Sequence, residues 1–104
     1  MYPMLLAPHF KDYLWGGTAL SDKYGFAPKG TKIAEAWMLT CRENEDNIIL
    51  NGSFAGKRLS EVCGIPKEDF PLIVKLIDAD RDLSLQVHPD ERCAGMYGGK
   101  AKRE

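Results

Sequence analysis

No cysteine pair here has the spacing of a metal knuckle or a redox motif. Cys41, Cys63 and Cys93 are an odd number, far apart, with no CxxC. Neither a disulfide framework nor a thiolate zinc site follows, and reduced, buried thiols are the expectation. Long apolar runs are missing too: none approaches the roughly 20 residues of a membrane span. The first nine residues lack the basic start and extended apolar core of a signal peptide. Nor is there an excess of one charge. Fourteen Lys and Arg against fifteen Asp and Glu leave a formal net charge of −1. That balance gives bulk electrostatics no hold on nucleic acid or a membrane surface. Repeats, low-complexity segments and linkers are absent, so the 104 residues read as a single domain spanning 1–104. A complete TIM barrel or multi-layer α/β enzyme is excluded, because such folds need roughly 200 residues or more. What is present is ordinary for a globular chain: 44% hydrophobic, 10% aromatic and 28% charged. That composition speaks against disorder. A soluble, cytoplasmic protein is expected.

Short apolar runs bounded by turn residues dominate from Lys32 onward. Residues 33–40 read as a strand, and residues 43–47 as a solvated turn. Ile48-Ile49-Leu50 is a second short strand, closed by the hairpin signal Asn51-Gly52. Residues 60–64 read as a one- to two-turn helix ending at Gly64, with Pro66 beyond. Residues 72–79 form a largely buried strand, followed by the polar turn Asp80-Arg81-Asp82. Residues 83–88 alternate cleanly and stop at Pro89. A short helix over residues 90–96 has Asp90 as its N-cap. Several short strands with little helix predict a mainly β fold, a sandwich or barrel.

The alternation at residues 83–88 carries the most chemistry. It puts Leu83, Leu85 and Val87 on one face and Ser84, Gln86 and His88 on the other. Side chains two apart on a strand lie roughly 6.5–7 Å apart at Cα, close enough to converge on one small ion. Imidazole nitrogen and amide oxygen both serve as metal ligands. The same three residues also suit a polar, solvent-facing strand side, and Gln-x-His is a weak motif on spacing alone.

The run Leu83-Ser84-Leu85-Gln86-Val87-His88-Pro89-Asp90 closely resembles the LS-x-QVHPD signature of type I mannose-6-phosphate isomerases. Four more segments resemble that family in order along the chain. Trp15-Gly16-Gly17 with Leu20 is similar to its WGG-x-x-L. Ile33-Ala34-Glu35-Ala36-Trp37 is similar to its AE-x-W strand. Asn51-Gly52 with Gly56 and Leu59 fits NG…G-x-x-L, and residues 70–79 fit FP-x-x-x-K-x-(I/L)DA.

The resemblance implies a cupin-like jelly roll (double-stranded β-helix), incomplete in this chain, with one or two short helices. It implies zinc-dependent interconversion of mannose 6-phosphate and fructose 6-phosphate, with the sugar phosphate as substrate. By the same resemblance Gln86 and His88 are metal ligands, and Lys102-Arg103-Glu104 aligns with a K-x-E element that makes Glu104 the third. Arg103 departs from the family's usual middle residue. Ser84 matches a substrate-side residue, and Lys102 a residue of the catalytic side. The family's fourth ligand, a later histidine, has no counterpart: His9 precedes the WGG segment and is read as a surface or packed histidine. Trp15 and Glu35 are read as residues that pack or brace the fold. The expectation is therefore the N-terminal portion of such an isomerase, truncated and with catalysis absent or negligible. The alternative is a non-catalytic cupin-like binding or interaction module. In either case strands left without partners predict a homodimer or higher oligomer through open sheet edges.

Overall fold

The computed structural model describes residues 2–99 and 101. Two small antiparallel sheets make up its β structure. Strand β1 (Leu6–Ala7) pairs with β4 (Ile48–Ile49), while β2 (His9–Lys11), β3 (Glu35–Leu39) and β5 (Val74–Ile77) form a three-stranded sheet in the order β2-β3-β5. Three short α-helices punctuate the chain: α1 (Ala19–Tyr24), α2 (Leu59–Val62) and α3 (Glu91–Met96). Single 3-10 turns cover Gly52–Phe54 and Lys67–Asp69. The chain is mainly β as expected, and the described residues form no closed barrel.

Register sorts the larger sheet into two faces. Phe10, Ala36 and Leu76 form one row across the three strands, and His9, Trp37 and Lys75 the next. Neighbouring rows point to opposite faces because strand side chains alternate. The Ala36 face is apolar. There Leu20 of α1, Ile33 and Ala36 are buried together, with Phe26, Ala27 and Met38 packed against them. Phe10 continues this layer, its ring 5.9 Å from that of Phe26.

The motif segments lock into one another through this core. A Cβ at Gly16 would lie 2.4 Å from the Ala34 Cβ, and one at Gly17 would lie 2.8 Å from the Asp78 carboxylate. Only hydrogen fits at either position. The Asp78 carboxylate accepts the Ala19 N–H at 2.6 Å, satisfying a donor at the start of α1. Asp78 N–H donates to Ala34 C=O at 2.9 Å, and Gly17 N–H to Asp78 C=O at 3.2 Å. Three segments far apart in sequence thus form one joint.

Several local expectations hold. Strand β3 lies within residues 33–40, and α2 ends at Cys63 with Gly64 following at φ +70°. The Asp90 carboxylate accepts Cys93 N–H at 2.8 Å and so caps α3. Asn51-Gly52 departs from a two-residue hairpin. Only Gly52 has positive φ (+68°), while Asn51 is extended at φ −136°, so the double left-handed turn is not made. The chain instead reverses through a wider loop, closed by Ile49 N–H on Lys57 C=O and by an Ile48–Arg58 bridge. Asn51 anchors the N-terminal segment, accepting Leu5 N–H at 2.7 Å and donating to Pro3 C=O at 3.1 Å.

Three readings need correction. Residues 43–47 are not solvated throughout, since Asp46 and Asn47 are buried. Asn47 accepts Thr40 N–H at 2.6 Å and donates to Ala7 C=O at 2.8 Å and Trp37 C=O at 3.0 Å. The strand within residues 72–79 is exposed along its whole length rather than buried. As the sheet's edge, β5 has β3 on one side and takes no strand partner on the other among the described residues. Residues 83–88 form no strand. Leu85 is 100% exposed and Val87 87%, so the apolar side of the alternation faces solvent and has no core to order it. No helix among the described residues is long and apolar enough to cross a membrane.

Candidate functional site

The face of the three-stranded sheet opposite the core is polar and charged. His9 and Lys11 of β2, Glu35 and Trp37 of β3, and Lys75 of β5 fall in two alternate rows, on either side of the Phe10–Ala36–Leu76 row, with Glu35 between Lys11 and Ile77 and Trp37 between His9 and Lys75. Alternation places all five on one side. Glu35 is buried, and its carboxylate accepts the Trp37 indole N–H at 2.6 Å while meeting the Lys75 ammonium at 3.3 Å. The Lys75 side chain is 36% exposed, so the pair runs from a covered carboxylate to an ammonium at the surface.

Trp37 is ringed by cations. Lys11 Nζ lies 5.1 Å from its ring centroid, the Arg42 guanidinium carbon 5.7 Å and Lys75 Nζ 5.9 Å. Each is at a distance where a cation is attracted to the indole face. Glu45 pairs with Lys11, and that hydrogen bond holds the Lys11 ammonium above its ordinary value of 10.5. His9 packs tilted against the same indole, with ring centroids 6.3 Å apart. Its expected packed role is what the structure gives it. Chemically the face is a buried carboxylate and a buried indole covered by ammonium groups that are themselves paired with Glu35 and Glu45.

The expected site residues lie elsewhere, on the extended segment after β5. Ser84 and Gln86 are exposed, and Gln86 Nε2 donates to Ser84 Oγ at 3.0 Å. That contact places these two side chains on one side, as their spacing predicts. His88 is also exposed. Glu104 and Lys102 lie outside the described residues. Among the described residues no three of His, Cys, Asp and Glu cluster as a metal site. Gln86 and His88 thus offer one neutral oxygen and one nitrogen donor, chemically suited to zinc but fewer than the three protein ligands of a catalytic site. Trp15 braces the chain as expected, its C=O accepting Asp80 N–H at 2.9 Å and Arg81 N–H at 3.1 Å.

Lys75 stands inside the segment that fits FP-x-x-x-K-x-(I/L)DA, while no sequence motif marks Lys11 or Arg42. The signal for Lys75 was the lysine inside an otherwise apolar run. Its pairing with Trp37 is a matter of cross-strand register, which no local pattern contains.

Comparison with known proteins gives one consistent result. The family profile described as phosphomannose isomerase type I, catalytic domain, matches residues 4–103. The probable mannose-6-phosphate isomerase GmuF of Bacillus subtilis is 41% identical over 104 residues, covering 92% of this chain and 33% of the relative. The mannose-6-phosphate isomerase ManA of the same organism is 35% identical over 103 residues, covering 91% and 32%. A crystal structure of the mannose 6-phosphate isomerase from Bacillus subtilis superposes with a TM-score of 0.78 at 34% identity, covering 94% of this chain and 34% of that one. The fold is therefore that of the corresponding part of this isomerase. The chain spans about a third of the length of the relatives it matches.

Proposed function

The chain belongs to the type I phosphomannose isomerase family, and from that membership we propose that it forms the N-terminal part of a zinc-dependent mannose-6-phosphate isomerase. The observation that carries this reading is the family match over residues 4–103, which takes in both Gln86 and His88. The substrate class is a sugar phosphate. Gln86 and His88 are the zinc donors, with Glu104 as a third. When bound, the ion would supply positive charge beside the sugar oxygens on which negative charge develops.

Aldose–ketose isomerisation removes a proton from C2 and returns one to C1 through an enediol, while a second proton passes between O1 and O2. A side chain within hydrogen-bond reach must take and return the carbon-bound proton. Lys102 is the candidate for that role and Ser84 for a hydroxyl contact to substrate. Gln86, His88 and Glu104 are three donors and the resemblance implies a fourth, a later histidine, so this chain alone is proposed to bind zinc weakly, with its turnover of mannose 6-phosphate absent or negligible. It associates as a homodimer or higher oligomer through the outer edge of β5, because Val74 and Ile77 there are half exposed at 48% and 49%.

Two measurements test this reading. Metal analysis after purification without chelator should give zinc well below one equivalent, falling further in His88→Ala. A coupled assay for conversion of mannose 6-phosphate should register nothing above background; turnover abolished by His88→Ala would overturn the incomplete-site reading. For the oligomer, a monodisperse monomer by light scattering at micromolar concentration would refute edge pairing.

A further inference from the structure

Residues 2–11 are held along one line, by β3 and by the segment 45–54. Strand β1 pairs with β4 in the register Leu6–Ile49 and Ala7–Ile48, and β2 runs along β3 from His9–Trp37 to Lys11–Glu35. Side chains of the segment 45–54 meet the same stretch in antiparallel order. Glu45 pairs with Lys11, and Asn47 Nδ2 donates to Ala7 C=O at 2.8 Å. Asn51 accepts Leu5 N–H at 2.7 Å and donates to Pro3 C=O at 3.1 Å. At the tip, the Tyr2 hydroxyl donates to Asn51 C=O at 2.8 Å and accepts Phe54 N–H at 3.0 Å, and its ring stacks on Phe54 with centroids 5.9 Å apart. A Cβ at Gly52 would lie 2.3 Å from the Tyr2 ring, so the tip sits in a notch that only glycine leaves open.

None of residues 2–11 is itself buried, whereas their partners Ala36, Trp37, Asn47 and Ile49 all are. Asp12, Tyr13 and Leu14, which connect the stretch to the body, are exposed. A terminal element with no core residue of its own and an exposed connection opens for less than the cost of global unfolding.

We propose that residues 2–11 are a detachable strap that swings out about residues 12–14, and that the groove it leaves along β3 and β4 takes the strap of a second copy, giving a reciprocal, strap-exchanged dimer. The groove specifies this occupant. Glu45 selects a lysine, Asn47 and Asn51 bind the backbone at residues 3, 5 and 7, and the Gly52 notch receives the Tyr2 ring. Pro8, which has no N–H to pair, suits the step from the β4 sheet to the β3 sheet. A strand of another sequence would miss these matches. A second copy makes all of them again, so closed and exchanged forms differ in connection and not in contacts. The strap's own tether acts as a local concentration of roughly millimolar, so exchange belongs to concentrated protein. The outer edge of β5 lies across β3 from the strap, and association there leaves each strap in its own chain.

The test uses unlabelled and isotope-heavy chains incubated together at about 1 mM, near the tether's effective concentration. Dimer and monomer are separated, and a carbodiimide then joins Lys11 to Glu45 in each. In the dimer, the cross-linked peptides should join light halves to heavy halves; in the monomer they should be unmixed. Tyr2→Phe removes both hydroxyl bonds at the tip from closed and exchanged forms alike. It should therefore speed mixing by about 5- to 30-fold and leave the final mixed fraction unchanged. Absence of a dimer at this concentration would overturn the proposal. So would a dimer whose Lys11–Glu45 peptides are all unmixed, which is the result of pairing through β5 alone. Mixing at the parent rate in Tyr2→Phe would overturn release of the strap as one piece from its tip.

Discussion

Replacing Glu35 separates the two interactions that hold its buried carboxylate. The indole N–H of Trp37 meets it at 2.6 Å, and the Lys75 ammonium at 3.3 Å. A hydrogen bond to a charged partner contributes about 1.5–3 kcal/mol, and orphaning a buried donor costs about 1–3 kcal/mol. The ammonium is more than a third exposed, so water screens it and the ion pair contributes at most about 1 kcal/mol. Glu35→Ala loses both contacts and strands the indole N–H, for an expected cost of about 3 kcal/mol. Glu35→Gln keeps an acceptor for the indole and loses only the charge, for about 1 kcal/mol. Urea unfolding is the assay, with equal slopes required so that midpoints compare stability alone. At a slope of about 1.5 kcal/mol/M, alanine lowers the midpoint by about 2 M and glutamine by well under 1 M. Lys75→Met should cost no more than glutamine does. Equal losses for glutamine and alanine would refute the reasoning, because the ion pair and not the indole bond would then dominate.

Three further outcomes follow from the same geometry. Asn47→Ala removes three hydrogen bonds from a fully buried side chain and should cost about 1.5–4.5 kcal/mol by urea titration. Asn47→Asp should cost more than alanine at neutral pH, since a carboxylate would face the Ala7 and Trp37 carbonyl oxygens that now accept from the amide. Gly16→Ala forces a methyl to 2.4 Å from the Ala34 Cβ and should lower stability by about 1–3 kcal/mol, whereas Gly56→Ala, where a Cβ meets nothing, should pay only for its φ of +85°. In the presence of reductant, the raised Cys41 thiol favours folding fully below its ordinary value of 9.0, and that stability is lost as the pH rises toward about 12. The urea midpoint should fall across this interval in the parent chain and less steeply in Cys41→Ala.

Elements with local signals were legible in the sequence. Asp90 announced α3 because its cap bond spans only three residues, and Gly64 announced the end of α2 because a left-handed residue stops a helix there. Helix α1 was missed for the opposite reason. Thr18, its N-cap, makes no side-chain cap bond. The donor at its start is satisfied by Asp78, 59 residues away. Strands β1 and β2 are two and three residues long and owe their form to partners, so their own composition says little. Asn47 was read as solvated because asparagine in a charged turn normally is. Three backbone partners from other elements reverse that preference.

The motif at residues 83–88 shows where a pattern stops being a structure. Alternation states which side chains share a side, and the Gln86–Ser84 contact agrees with it. It does not supply the neighbouring strand whose N–H and C=O groups would make the segment a strand, and that neighbour is absent among the described residues. The charged face shows the converse. Glu35, Trp37 and Lys75 gave no local sign of acting together, yet β3 and β5 pair and the register puts Lys75 directly opposite Trp37. A set of side chains spread along one extended segment can thus be read from spacing, whereas one built across strands exists only once they pair. The family membership joins the two, since the same profile runs through the paired face and through residues 83–88. Supplying residues 83–88 with a strand partner should therefore order Gln86 and His88 without changing the Glu35–Trp37–Lys75 contacts. Amide exchange measured with and without such a partner, for example the remaining two thirds of a relative added as a separate chain, would show new protection over 83–88 and none over β3. Protection appearing equally in both segments would mean that the face, too, is assembled only by the partner.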